Sequence, residues 1–156
     1  MSHQFPNIMK QIEAGTETIL DGYIRFLNPN VPNESLSVLR NSNVFSGDIP
    51  FATTAFGDIF TWTEDGYIRF YKLVDGISTI IMFGDKFFFQ NVEDADFQSE
   101  YFDINLYYQA KSKYGPLSQN QCYTFVPIPA LGGAKKLESI QTGDLSAYLL
   151  LLLNNF

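Results

Sequence analysis

The apolar residues of this chain recur with two different spacings, and the change from one to the other lies near Gly57. Up to that point they return every three or four positions, which is typical of helices that pack on one face. The spacing predicts a short helix over residues 7–14, which Gly15 ends. It also predicts a second helix up to Arg40, with the side chain of Asn33 as its N-cap.

Two stretches of the front third have weaker patterns. Residues 16–27 carry apolar positions at helical spacing, but Gly22 weakens the prediction of a helix there. Residues 41–54 are rich in Asn, Ser, Gly and Pro, and we expect them to form a long connecting loop. The hexapeptide Asp-Gly-Tyr-Ile-Arg-Phe occurs at 21–26 and again at 65–70. Since the flanking residues differ, we interpret this repetition as coincidence and not as a repeat architecture.

Beyond Gly57, short runs of β-branched and aromatic residues alternate with tight turn pairs. The turn pairs Asp65-Gly66, Asp75-Gly76 and Gly84-Asp85 can supply the positive φ angles that hairpins require. The pattern therefore predicts four antiparallel strands in a meander, over residues 59–62, 67–73, 78–83 and 86–90.

The last third predicts two helices with a strand between them. These elements are expected over residues 103–114, 123–126 and 145–154. Asp103 can cap the first helix, which Gly115 ends, and Thr142 or Asp144 can cap the second. Because leucines surround the axis of the final helix, we expect it to be buried on several sides. The whole chain is thus predicted to be a single α+β domain, with an antiparallel β-meander sheet and N-terminal and C-terminal helices packed on it.

Composition narrows the class of protein. The chain has 156 residues, of which 46% are hydrophobic and 16% aromatic, enough for one domain with a sizeable core. Its net charge of -7 disfavours a nucleic acid or a membrane as direct partner and favours a basic protein. Cys122 is the only cysteine, which is typical of a reducing compartment. The chain starts without signal-peptide features, and the apolar run at 149–153 is too short to span a bilayer, so we expect a cytoplasmic protein.

The residue types that catalysis needs are sparse. The only histidine, His3, lies in a segment that we expect to be frayed, and Cys122 is expected to be a buried, inert thiol. One cysteine and one histidine are too few for a zinc site, and we expect neither a metal nor a cofactor. The carboxylates of Asp58, Glu64 and Asp65 have no matched partner for acid–base chemistry. We therefore predict that the protein is not an enzyme; a hydrolase that uses carboxylates alone is the weakest alternative.

The pair Gly132-Gly133 precedes two lysines, Lys135 and Lys136, as phosphate-binding loops sometimes do. It lacks the spaced glycines of a P-loop or a dinucleotide fingerprint, and it follows prolines instead of a clean strand. We interpret it as a tight structural turn with two exposed lysines.

The acidic cluster from Glu93 to Asp103 is the best candidate for a functional surface. It does not fit a calcium loop, since Ser99 stands where the glycine belongs and Asn105 where the closing glutamate belongs. It is either a solvated loop before a helix capped by Asp103, or an acidic contact surface for a basic partner. In the second hypothesis carboxylates capture the partner and aromatic side chains become buried at contact. The carboxylates are those of Glu93, Asp94, Asp96 and Glu100, and the aromatic residues are Phe97, Tyr101 and Phe102.

Three segments behind residue 56 carry a resemblance to a known family. They are Gly-Asp-Ile-Phe-Thr-Trp at 57–62, Tyr-Gly-Pro-Leu at 114–117, and Cys-Tyr-Thr-Phe-Val-Pro at 122–127 running into Ala-Leu-Gly-Gly at 130–133. In this order they resemble the C-terminal domain of type VI secretion DNase-immunity proteins, over residues 57–156. Residues 1–56 are similar in outline to the GAD-like portion associated with that domain.

The resemblance implies an immunity protein that binds a secreted antibacterial toxin, often a nuclease, and blocks it without chemistry of its own. The partner would then be a cognate toxin, in our expectation a basic nuclease. The order of helices, loop and meander is also similar to the SMI1/KNR4-like immunity superfamily, which stays an alternative. A general regulatory scaffold that binds a protein other than a toxin is a further one.

Overall fold

A computed structural model describes residues 6–156. His3, predicted to be frayed, lies outside the described residues. The helices are α1 (Pro6–Glu13), α2 (Glu34–Arg40), α3 (Phe88–Val92), α4 (Ala95–Tyr101), α5 (Ile104–Tyr114) and α6 (Leu145–Asn154). The strands are β1 (Thr18–Ile19), β2 (Ile24–Phe26), β3 (Ile49–Thr54), β4 (Ile59–Trp62), β5 (Ile68–Lys72), β6 (Ile77–Met82), β7 (Gln121–Phe125) and β8 (Ile140–Asp144).

The strands form two antiparallel sheets. The larger sheet has six strands in the order β1-β2-β3-β4-β5-β6, so each strand pairs with its neighbour in sequence. The smaller sheet pairs β7 with β8. With helices at both ends of the chain, this is the α+β architecture that the sequence predicts, and the meander is longer than expected because it begins at β1.

Aromatic rings fill the space between the large sheet and the helices. The ring of Phe51 stacks on that of Trp62 with centroids 4.6 Å apart, and Phe60 lies 4.7 Å from Phe70 on the neighbouring strand. Phe88 of α3 packs edge-on against Phe60 at 6.0 Å. Since each ring buries a large apolar area and such pairs add a little beyond burial, the high aromatic content of the sequence is accounted for by the core.

Two predicted elements are wrong, and burial explains both. Residues 41–54 are not one long loop, because β3 occupies 49–54 in the middle of the sheet and is buried on both faces from Pro50 onward. A strand covered on both faces lacks the alternation that marks a strand in sequence, and Pro50 lies at a register shift, where proline is tolerated. Residues 86–90 are not a strand, because Phe88 and Val92 lie one helical turn apart and both face the core from α3.

The two copies of the repeated hexapeptide share one local feature. In each copy the glycine has a positive φ, 96° at Gly22 and 84° at Gly66, and a strand begins two residues later. Residues 16–27 therefore contain a hairpin and not a helix. Their surroundings differ, since Arg25 is buried whereas Arg69 is half exposed and forms an ion pair with Asp48 at 3.2 Å.

Three of the predicted helix ends are confirmed. Asn33 Oδ1 accepts a hydrogen bond from the Leu36 amide at 3.0 Å at the start of α2, and Asp144 Oδ2 accepts from the Ala147 amide at 2.9 Å at the start of α6. Gly115, at a φ of 81°, follows the last residue of α5.

The predicted burial of α6 is wrong. Only one side of this helix packs on the core, through Leu145, Tyr148, Leu149 and Leu152. Leu150 and Leu151 are 50% and 41% exposed. The helix lies on the protein surface, so it has more leucines than its core-facing side can bury.

Asp21 joins the front of the chain to α5. Its carbonyl accepts hydrogen bonds from Tyr107 Oη at 2.5 Å and from Lys111 Nζ at 2.9 Å. Its carboxylate accepts one from Tyr108 Oη at 2.6 Å. These bonds attach the β1–β2 hairpin to a helix more than 80 residues later in the sequence.

Candidate partner-binding surface

The acidic cluster forms a helix, and the alternative of a solvated loop is wrong. Asp94 has an extended backbone, and its Oδ2 accepts a hydrogen bond from the Phe97 amide at 3.0 Å. This is the geometry of an N-cap, and it starts α4 directly after α3. The sequence analysis predicted neither this cap nor the helix that it starts.

The acidic side chains of this segment face solvent. Glu93, Asp94, Asp96 and Glu100 are all exposed. Asp96 and Glu100 are four residues apart, so they share one face of α4. Within residues 6–156, no lysine or arginine lies within ion-pair distance of these carboxylates. We call this surface the α4 acidic face. Its charge is free to act on a partner.

The aromatic residues of α4 are already partly engaged with the protein itself. The rings of Phe97 and Tyr101 have centroids 4.7 Å apart, and Phe97 packs edge-on against the buried Phe102 at 5.6 Å. Burial and the neighbouring carboxylate of Glu100 raise the pKa of Tyr101 above its ordinary value. Both side chains keep partial exposure beside the carboxylates, so a partner that reached α4 would touch acidic and aromatic groups together.

An ion-pair cluster fixes the chain just behind α4. The carboxylate of Asp103 lies 2.9 Å from Lys135 Nζ and 3.5 Å from Lys72 Nζ, and Asp75 pairs with the same two lysines. Asp103 precedes α5 as predicted, but its side chain makes no capping bond. The prediction that Lys135 is exposed is wrong, because these carboxylates hold it half-buried; Lys136 is exposed.

The carboxylates considered for catalysis do not form a site. Asp58 is completely buried, and Glu64 and Asp65 are exposed at the β4–β5 turn. Burial raises the pKa of Asp58 to about 7; the nearby Asp103 raises it further, and Lys72 and Lys135 oppose the shift. Asp58 Oδ2 lies 3.4 Å from Thr54 Oγ1, and Oδ1 has no hydrogen-bond partner. No group of side chains within the described range could hold a metal ion.

The remaining sequence candidates are structural. The thiol of Cys122 is buried, as predicted, and desolvation raises its pKa to about 12. Gly132 has a φ of 95°, which suits a tight turn. At Gly133 a Cβ would lie 1.7 Å from the Pro127 carbonyl oxygen, so only glycine allows this close approach.

The sequence analysis missed a second exposed surface, an apolar groove beside α6. It has a volume of about 320 Å³, and its floor includes the buried Phe125 and Ile128. Its exposed apolar side chains are Val126, Leu131 and Leu151. The surplus of leucines in α6 was a signal for it, because one helix face cannot bury them all.

Comparison with known proteins finds a family that is similar to the back part of the chain. Residues 83–154 match the family model described as T6SS immunity protein Tdi1, C-terminal. This segment is similar to that immunity family. The Tdi1 match contains α3 to α6, and with them the α4 acidic face and the motifs at 114–117 and 122–133. It begins at residue 83 and not at Gly57, so the motif at 57–62 and the front of the chain lie outside it.

A solved structure shows the same fold along nearly the whole chain. The crystal structure of Atu4351 from Agrobacterium tumefaciens superposes with a TM-score of 0.64 at 17% identity, and the match covers 96% of this chain and 75% of that chain. At this identity the likeness establishes the fold alone. No curated protein matches the sequence. Within the described residues no helix has the length and apolar character needed to cross a bilayer.

Proposed function

We propose that this protein is an immunity protein, which binds a cognate toxin of a type VI secretion system and neutralises it by occlusion. The observation that carries the proposal is the Tdi1 C-terminal match over residues 83–154. We propose further that the toxin is a basic nuclease and that the α4 acidic face, inside the matched segment, captures it. Glu93, Asp94, Asp96 and Glu100 provide the charge, and Phe97 and Tyr101 provide apolar contact.

Electrostatics supports a basic partner. The protein carries a net charge of -7, and the carboxylates of the α4 acidic face are exposed and unpaired within the described residues. A nuclease needs basic surface to hold nucleic acid, so an acidic inhibitor is complementary to that surface. Such complementarity accelerates association and is weakened by salt.

Binding by occlusion is also consistent with the buried polar groups. Asp58, whose pKa is the most perturbed among the carboxyl groups, has no exposed surface and lines none of the cavities described for this molecule. It therefore offers no group to a substrate in any of these cavities. We therefore propose stoichiometric inhibition and not turnover.

The test is co-expression with the neighbouring open reading frame, followed by a growth assay, pull-down and association kinetics. For the α4 acidic face we choose Asp96→Lys with Glu100→Lys, because neither carboxylate forms an ion pair within residues 6–156. Asp94 is left intact, since reversing it would remove the cap of α4. We expect the association rate to fall roughly tenfold at low salt, with a smaller loss at high salt.

A matched control separates the effect of charge on α4 from the effect of the net charge of the protein. Glu13→Lys with Glu138→Lys makes the same change in net charge at two exposed positions on other elements. We expect its association rate to stay within about twofold of that of the parent protein. An equal loss of association rate in both double variants would mean that the α4 acidic face has no specific role in toxin capture. Growth protection absent even for the parent protein, with no complex in the pull-down, would refute the immunity function and favour a scaffold with another partner.

A further inference from the structure

A pocket of about 380 Å³ lies beside strands β1, β2 and β3 of the large sheet. None of its lining residues belongs to α4. Its walls come from the end of α1, the hairpin strands β1 and β2, strand β3, the residues before α2, and the loop that follows α5. Much of the wall is apolar, through Ile12, Phe26, Leu27, Val31, Leu117 and Leu145. The volume lies within the range of about 300–1,000 Å³ that is typical of small-molecule sites.

Three polar residues form a row across the strands of this pocket. Thr18 of β1 pairs directly with Arg25 of β2, and Arg25 pairs directly with Thr53 of β3. Directly paired residues of antiparallel strands place their side chains on the same face of the sheet, with Cβ atoms about 5 Å apart. All three residues line the pocket, so a threonine lies on each side of the arginine along its wall.

Arg25 is a buried cation that no carboxylate neutralises within residues 6–156. Only 8% of the residue is exposed, and desolvation lowers its pKa. Its Nη atoms donate to the carbonyl oxygens of Ser118, Gln119 and Gln121. Glu17, the other charged residue of the pocket wall, is exposed and lies beyond ion-pair distance from Arg25.

These three bonds hold the guanidinium group in position, but they do not neutralise its charge because the acceptors are uncharged carbonyl groups. A guanidinium group has five N–H donors, so it can still bind an anion while it holds the loop. Burying an uncompensated charge is costly, and an anion in the pocket would offset that cost.

Thr53 supplies a second, independent observation. The residue is completely buried, and its Oγ1 has no hydrogen-bond partner in the structure. A buried hydroxyl without a partner destabilises the fold, and such groups are rare in folded proteins. The unpaired hydroxyl and the unpaired positive charge are direct cross-strand neighbours at the wall of the same pocket.

We propose that this pocket binds a small monocarboxylate with an apolar body, held by Arg25, Thr53 and Thr18. One guanidinium balances one carboxylate, whereas a doubly charged phosphate would leave excess negative charge beside an acidic protein. The hydroxyl of Thr53 donates to the carboxylate, and the apolar walls cover the rest of the ligand. This site is independent of the α4 acidic face and of toxin binding.

Calorimetry with hexanoate and benzoate, on the purified full chain without toxin, tests the proposal. We expect saturable binding of at least one carboxylate, and binding at least tenfold weaker for hexanamide, the uncharged counterpart of hexanoate. Inorganic phosphate should bind more weakly than the carboxylate. Binding of hexanoate and hexanamide with equal affinity, or of neither carboxylate, would overturn the proposal.

Thr53→Val is the decisive variant, because valine has nearly the same shape and lacks the hydroxyl. It should weaken carboxylate binding about tenfold, the effect of one hydrogen bond to a charged group. The stability of the ligand-free protein should be unchanged or higher, since an unpartnered hydroxyl is removed. A purely structural role for Thr53 would leave the affinity unchanged.

Thr79→Val is the matched control, at an exposed threonine of β6 that does not line the pocket. It should leave the affinity within about twofold of that of the parent protein. Arg25→Lys keeps the charge but not the fork of donors, and it should weaken binding. If Thr53→Val weakens toxin capture while free carboxylates never bind, the pocket takes a carboxylate of the toxin, and the small-molecule proposal is wrong.

Discussion

The buried carboxyl group of Asp58 should make the stability of this protein depend on pH in a way that one substitution reveals. Asp58 has no exposed surface, and its pKa is raised from 3.8 to about 7, mainly by desolvation. The charged groups that influence it are Asp103, Lys72 and Lys135. The substitution to make is Asp58→Asn, which keeps the shape of the side chain and removes its titration.

The magnitude follows from proton linkage. A carboxyl group whose pKa is raised by folding binds its proton more tightly in the folded state, so it destabilises the fold once it must ionise. The difference between 3.8 and about 7 is roughly three pKa units, and each unit corresponds to about 1.4 kcal/mol. The parent protein should therefore lose about 4 kcal/mol relative to Asp58→Asn as the pH rises from about 4 to about 8. Below about pH 3 the group is protonated in both states, and the difference between the two proteins should be constant.

Urea denaturation of both proteins at half-unit steps of pH measures this difference directly. Subtracting the two free energies of unfolding cancels the titration of every group that the variants share. The difference should begin to change near pH 4 and level off above pH 7. Curves that stay parallel within about 0.5 kcal/mol from pH 4 to pH 8 would refute a raised pKa for Asp58. If the parent protein instead gained stability relative to Asp58→Asn with rising pH, Lys72 and Lys135 would outweigh desolvation in setting the pKa of Asp58.

The other predictions concern packing and the extent of the folding unit. Leu149→Ala should cost about 2–5 kcal/mol in urea denaturation because Leu149 is fully buried, whereas Leu150→Ala, at an exposed position of the same helix, should cost less than about 1 kcal/mol. Equal losses would contradict the one-sided packing of α6. We also propose that the chain is a single domain, so a fragment of residues 83–154, which lacks the large sheet, should not fold. A cooperative thermal transition of that fragment in circular dichroism would contradict the single domain.

The sequence indicated which residues of the candidate surface are exposed, but not that they lie on a helix. The exposed carboxylates at 93–100 were identified from composition, and their exposure follows from their cost of burial. Only the structure shows that they lie on a helix and that Phe97 and Tyr101 pack on each other. The row of Thr18, Arg25 and Thr53 could not be found from the sequence, because strand register joins residues that are far apart in the chain.

The sequence by itself determined the features that depend on neighbouring residues. The caps at Asn33 and Asp144 and the stop at Gly115 are local, since a side chain satisfies a backbone group within a few positions. Only the tertiary structure decided that β3 is a central strand and that Lys135 is paired. Both outcomes come from contacts with distant parts of the chain, which bury a segment on two faces or bring opposite charges together, and no local pattern encodes such contacts.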